Sequence, residues 1–176
     1  SYSMPMRLNM GFSDNIFFHK VEIASYPLFD FPLYSIALAS KIVEVAKFNG
    51  LDLVHAHYAI PHATSAYLAR EIIKEEVLSK KKNNRNIKII TTLHGTDITL
   101  TGLEISFLPT MKFSVQKSDG VTAVSEFLRT KTMSQYEITK EIKVIPNFIN
   151  QDIYKKIENN ETKCLKEKLS ANGEKI

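Results

Sequence analysis

Two short stretches gather the residue types that chemistry needs: HAHYAIPH at 55–62 and TTLHGTD at 91–97. In the second, Thr92 and His94 stand two apart on a strand-like run and so share a face. Gly95 comes next, where the missing side chain lets a ligand or another backbone come close. Thr96 or Asp97 is suited to cap a helix starting there. His94 is the candidate catalytic group, because an imidazole donates a hydrogen bond to a substrate oxygen at neutral pH without a full charge. A structural reading stands beside this one: the strand ends, glycine turns the chain, and a hydroxyl or carboxylate caps the next helix. The two readings are compatible.

In HAHYAIPH, His55 and His57 are expected on opposite faces of their strand, which argues against a metal ion held by both. Tyr58 and His62 flank the turn into a helix. Tyr58 and the free N–H groups of that helix, near Pro61, would make a corner for an anion or a hydroxyl. The structural alternative is a satisfied, buried histidine beside a tyrosine packed through its ring. Ser125 precedes Glu126 at a helix start and reads as an N-cap rather than a nucleophile. No G-x-S-x-G elbow supports the latter. Dinucleotide and phosphate-loop glycine patterns and the H-E-x-x-H metal spacing are absent too, so neither a cofactor nor a metal is called for.

The elements that must position these residues alternate. IFFHKVEI (16–23) reads as a strand and PLYSIALASKIVEVAKFNG (32–50) as a helix stopped by Gly50. LDLVHAH (51–57) is a strand and PHATSAYLAREIIKEEVLSK (61–80) a helix with Pro61 in its first turn. IKIITTLH (87–94) is a strand, followed by a helix over 103–118 that Pro109 kinks or splits. GVTAVS (120–125), a helix at 126–137 and IKVIPNF (142–148) complete the series. Five short, apolar strands between helices predict an α/β fold: a Rossmann-like parallel sheet with helices on both faces. Ligands of such sheets lie at the carboxyl ends of the strands, where LDLVHAHYAIPH, IITTLHGTD and VTAVSE all terminate.

Composition agrees. The 176 residues are 44% apolar, enough for one domain with a core. The net charge of +4 would suit an anionic ligand. Part of that excess is the run Lys80, Lys81, Lys82, Arg85 and Lys88, which lacks interleaved aromatics and reads as a solvated loop, so no nucleic-acid partner is expected. Cys164 is the single cysteine, which rules out an internal disulfide and points to a reducing, cytoplasmic setting. No apolar run approaches the ~20 residues of a membrane-spanning helix, and no signal peptide is evident. After Phe148 the chain turns highly charged, and 149–176 reads as a linker with one helical stretch around Lys163 to Leu169.

Taken in order, LASKIVEVAKFNGLDLVHAHYAIPHATSAYLA, IITTLHGTDIT, SDGVTAVSEFL and VIPNFIN resemble the amino-terminal domain of the family 4 retaining glycosyltransferases of GT-B fold. Within that family the resemblance is to the branch that moves N-acetylglucosamine from UDP-N-acetylglucosamine to L-malate in bacillithiol biosynthesis, without a metal. The resemblance implies that Tyr58 and Thr92 hold malate, that His94 reaches the sugar or its phosphate, and that Gly95, Thr96 and Asp97 shape the loop beneath. It implies residues 1–148 as the acceptor-side domain, lacking a first strand and its glycine-rich loop, and 149–176 as linker or the start of a second domain that carries the donor site. The chain alone is then expected to be inactive, and a free sheet edge would also permit a homo-oligomer. Two alternatives stay open: a related transferase with another acceptor, and a non-catalytic module binding an anionic metabolite or a partner.

Overall fold

The computed structural model describes residues 16–23, 33–80, 86–99 and 104–152, with no side-chain detail for 77–80. The chain divides into two units, Ser1–Pro146 and Asn147–Ile176. The basic run at 81–85, Cys164 and the helical stretch expected near 163–169 lie outside the described residues. In the second unit the described chain is a turn in which the Asp152 N–H donates to Asn150 Oδ1 at 2.9 Å.

The first unit opens its regular structure with helix α1, Tyr34–Asn49, ended by Gly50 in the left-handed conformation (φ 65°) that costs glycine least. Strand β1 is Leu53–His57. A distorted turn over Ala59–Ala63 leads into helix α2, Thr64–Lys80. Strand β2 is Lys88–Leu93, followed by the single turn α3, Thr96–Thr99. Helix α4 is Leu108–Lys117, strand β3 is Gly120–Ala123, helix α5 is Glu126–Tyr136 and strand β4 is Ile142–Val144. All three strand pairings are parallel, in the order β1-β2-β3-β4. The class is α/β and Rossmann-like, as expected.

Three local expectations need correction. IFFHKVEI forms no strand: 16–23 is described without regular structure, with Phe17 75% and Ile16 59% exposed. Strand propensity records a fit to a half-buried pleated surface, and among the described residues these side chains find none. Pro109 does not kink a helix but sits in the first turn of α4, where its missing N–H would have lacked a partner anyway. The last strand stops at Val144, well short of Phe148.

Strand order decides where the core sits. Successive parallel strands that advance in one direction, joined by right-handed crossovers, send their crossover helices to the same face. The register puts Val54, Ile89, Thr91, Leu93, Val121, Ala123 and Ile142 on that face. Leu93, Val121, Ala123 and Ile142 pack with Ile98, Met111, Val115, Leu128 and Tyr136 in the larger cluster. Val54 joins Ala46, Ile73 and Ile87 in a smaller one. Both clusters thus use one face, while the other carries His55, His57, Ile90, Thr92 and Thr122, so among the described residues the helices expected on both faces pack on one. Among the described residues no helix is long and apolar enough to cross a membrane.

The amino-terminal ends of the strands are tied by Asp119. Its Oδ2 accepts from the Ile89 N–H at 2.9 Å and from Arg70 Nη1 at 2.8 Å, and its Oδ1 accepts from Lys88 Nζ at 3.0 Å. Arg70 is buried and also donates to the Lys117 carbonyl. Partial burial pushes the Asp119 carboxyl up, but the Ile89 N–H, Lys88 and Arg70 together outweigh it and hold the group below its ordinary 3.8. In the folded protein the proton is therefore bound less readily than in the unfolded chain. This stabilisation is complete above that ordinary value and is lost as pH falls through the lowered one. Asp119→Ala is expected to cost about 2 to 3 kcal/mol at neutral pH, since it takes the nearest carboxylate from a buried guanidinium and the acceptor from the Ile89 N–H, and to flatten the stability curve below about pH 4. Urea unfolding across pH checks both; an unchanged acid limb would contradict the assignment.

Candidate active site

Parallel pairing brings all the strand ends that follow His57, Leu93, Ala123 and Val144 to one rim. Four histidines collect there. The His55 and His57 ring centroids are 4.6 Å apart. This corrects the opposite-face expectation: side chains alternate along a strand, so residues two apart return to the same face. Among the described residues, no group of three or more His, Cys, Asp or Glu is arranged to hold a metal ion. His57 Nδ1 lies 2.7 Å from His94 Nε2. The His62 Nδ1–H donates to the His57 carbonyl at 2.5 Å, and Tyr34 Oη stands 3.4 Å from His62 Nε2. Partial burial, then the neighbouring His55, His94 and His62, lower the His57 pKa and favour its neutral ring.

Tyr58, Thr92 and His94 gather on this rim. The Tyr58 and His94 ring centroids are 5.1 Å apart, and the Tyr58 N–H donates to the Thr92 carbonyl at 2.9 Å. Thr92 is buried, and its hydroxyl lies 2.7 Å from both His55 Nε2 and Thr122 Oγ1. A hydroxyl offers one donor and two acceptor positions, so these two contacts leave room for one more. His55 and Thr122 were missed in the sequence. The signal was present, because a period of two puts His55 beside His57 and the strand register sets Thr122 opposite Thr92.

The loop after β2 is built differently from the expected cap. Neither Thr96 nor Asp97 caps α3; the Gly95 carbonyl accepts from Ile98 N at 2.8 Å and Thr99 N at 2.7 Å. Gly95 has φ 124°, a conformation that demands glycine, and a Cβ added there would meet no protein atom within 4 Å. Thr96 is exposed at the first position of the turn. Asp97 is 2% exposed: its Oδ1 accepts from the Gly95 N–H at 3.1 Å and its Oδ2 from the Ala59 N–H at 2.9 Å. One carboxylate thus ties the loop after β2 to the loop after β1. Ser125 is the N-cap expected of it, accepting from the Leu128 N–H at 3.2 Å.

Those ties hold Tyr58 at φ 78°, ψ 135°, a region that a residue with a Cβ occupies only under constraint. The Thr92 carbonyl on one side and Ala63 N and Asp97 Oδ2 on the other supply it. Tyr58→Gly is therefore expected to leave the protein about 1 kcal/mol more stable than Tyr58→Ala, despite glycine's greater freedom when unfolded. Denaturant midpoints of the two variants decide this, and an alanine variant equal to or better than glycine would remove the strain.

A polar rim of this kind above a one-sided parallel sheet fits many activities, and comparison with known proteins narrows them. Residues 7–153 match the model of Glycosyltransferase Family 4. The chain belongs to glycosyltransferase family 4. Within the family, it is 44% identical over 151 residues to the N-acetyl-alpha-D-glucosaminyl L-malate synthase of Bacillus anthracis, covering 86% of this chain and 37% of that protein. It is 25% identical over 140 residues to an uncharacterized glycosyltransferase of Methanocaldococcus jannaschii, covering 79% of this chain and 35% of the relative. The chain thus spans about a third of the length of these family members.

Proposed function

We propose that this chain is the acceptor-side part of a retaining hexosyltransferase that moves N-acetylglucosamine from UDP-N-acetylglucosamine to the hydroxyl of L-malate in bacillithiol biosynthesis, in the cytoplasm. Residues 1–148 form the acceptor-side domain, and 149–176 are the linker or the start of the donor-binding domain. The observation that supports this most is the joining of Tyr58 to His94, rings 5.1 Å apart, at the carboxyl rim of a chain 44% identical to an enzyme named for that product.

In this reading Tyr58 Oη donates to a malate carboxylate, while the Thr92 hydroxyl at the floor supplies a further bond. Charge-assisted hydrogen bonds of this kind are the stronger class. His94 donates to the sugar or to a phosphate oxygen as negative charge develops there. The acceptor oxygen bonds to the anomeric carbon on the face the diphosphate leaves, the carbon–phosphate oxygen bond breaks, and the acceptor proton passes to the departing phosphate. No side-chain nucleophile is required, and Ser125 on the rim is engaged as a cap. A transfer assay on the complete protein tests this, with UDP-N-acetylglucosamine and a panel of hydroxy acids, sugars and glycans. The expected product is the α-linked glucosaminide of L-malate; transfer to another acceptor in preference, or no transfer, would reject the assignment.

A further inference from the structure

His94 has two ring nitrogens, and only one of them can meet a ligand. Its Nε2 faces His57 Nδ1 at 2.7 Å, a distance that one proton between the two nitrogens satisfies and that two would not. Among the described residues nothing hydrogen-bonds to its Nδ1. His57 is itself fixed: its backbone is the last residue of β1, its carbonyl accepts from His62, and its ring lies against His55. Partial burial and the neighbouring imidazoles lower the His57 pKa and so favour a ring with one N–H.

We propose that His57 is a positioning residue that holds His94 through this Nδ1–Nε2 hydrogen bond, so that Nδ1 of His94 is the nitrogen presented to the ligand. Its ligand-facing half rests on the proposed contact of His94 with the sugar or its phosphate. Two rings sharing one proton are coupled. When a ligand oxygen accepts from His94 Nδ1–H, Nε2 is the lone pair and the proton in the gap belongs to His57 Nδ1. When a ligand hydroxyl donates to His94 Nδ1, both rings carry their protons on Nε2. The pair therefore matches its tautomer to the ligand, and a carboxylate or phosphate oxygen selects the first arrangement.

Imidazole nitrogen NMR on the uniformly ¹⁵N-labelled 176-residue chain tests the contact without any ligand. A through-hydrogen-bond coupling between His57 Nδ1 and His94 Nε2 is expected. In His57→Phe the coupling is lost and the His94 Nε2 resonance moves to its solvent-exposed position. In His57→Asn, whose side-chain amide falls near the Nδ1 position, that resonance is expected to stay closer to the wild-type value. Absence of the coupling in a wild-type chain with dispersed amide signals would overturn the proposal, as would a His94 Nε2 resonance unmoved in a folded His57→Phe variant.

UDP-N-acetylglucosamine is then added to the complete protein. Movement of the His94 Nδ1 and Nε2 resonances in opposite senses, as one tautomer is selected, with the coupling to His57 kept, supports both the positioning role and the contact with the donor. Loss of the coupling on binding overturns the positioning role. No response of either nitrogen, with the coupling intact, rejects the donor as the ligand of His94 and leaves the hydrogen-bonded pair established.

Discussion

Asp97→Ala is expected to lower stability by about 3 to 4 kcal/mol and the melting temperature by about 10 °C. The carboxylate accepts from two backbone N–H groups, those of Gly95 and Ala59, in a position 2% exposed. Removing it leaves two donors without partners, and a buried unsatisfied group costs roughly 1 to 3 kcal/mol each. Asp97→Asn should fall between, because its amide has one oxygen for two donors and turns an N–H toward the other. The same substitution should ease the Tyr136 phenol back toward its ordinary value, since burial and then the Asp97 charge push it up. Thermal unfolding of the three proteins checks the order. A loss within about 0.5 kcal/mol for alanine, the range of an ordinary surface change, would show that the two loops are held by something else.

The second large effect is catalytic. His94→Ala in the complete glycosyltransferase is expected to reduce kcat/KM by about 100- to 1000-fold, the scale seen when one donor to a developing oxyanion is removed. Stability should change little, because His94 is only half-buried and its loss leaves the apolar clusters untouched. That contrast with Asp97 would separate the two residues within one heptapeptide: one building the rim, the other, as proposed, working on it. Steady-state rates with UDP-N-acetylglucosamine and L-malate, alongside unfolding curves, measure both. A His94→Ala enzyme retaining more than about a tenth of its kcat/KM would deny the ring that role.

Much of the fold was legible because local signals and tertiary packing agree in it. Gly50 ends α1 as its pattern implied, Ser125 caps α5, and all four strands fall within expected stretches on apolar runs, although the last is shorter than expected. The misreadings have a shared cause. IFFHKVEI has strand composition without a strand neighbour among the described residues, and Pro109 was weighed as a helix breaker although the same lack of an N–H makes it a helix starter. Composition cannot report which edge a segment finds, nor where a helix begins relative to its proline.

In the site, the residues around TTLHGTD were visible as types but not as partners. Tyr58, Thr92 and His94 meet because parallel pairing sets β1 and β2 in register, which spacing along the chain does not state. Asp97 looked like a cap by its position after Gly95. Its actual partner, the Ala59 N–H, is 38 residues away in sequence and reachable only once both strands end on one rim. The histidine pair was lost to a misapplied period, and with it His57, the residue that touches His94.

The most direct measurement of the central claim is an amide NMR titration of the complete protein with L-malate, followed at Tyr58 and Thr92. A saturable displacement of those two resonances and their neighbours on the rim, abolished in Tyr58→Phe, is the predicted result. Saturable displacement centred on other residues, with Tyr58 and Thr92 unmoved while L-malate is still consumed as acceptor, would contradict the placement of the acceptor on this rim.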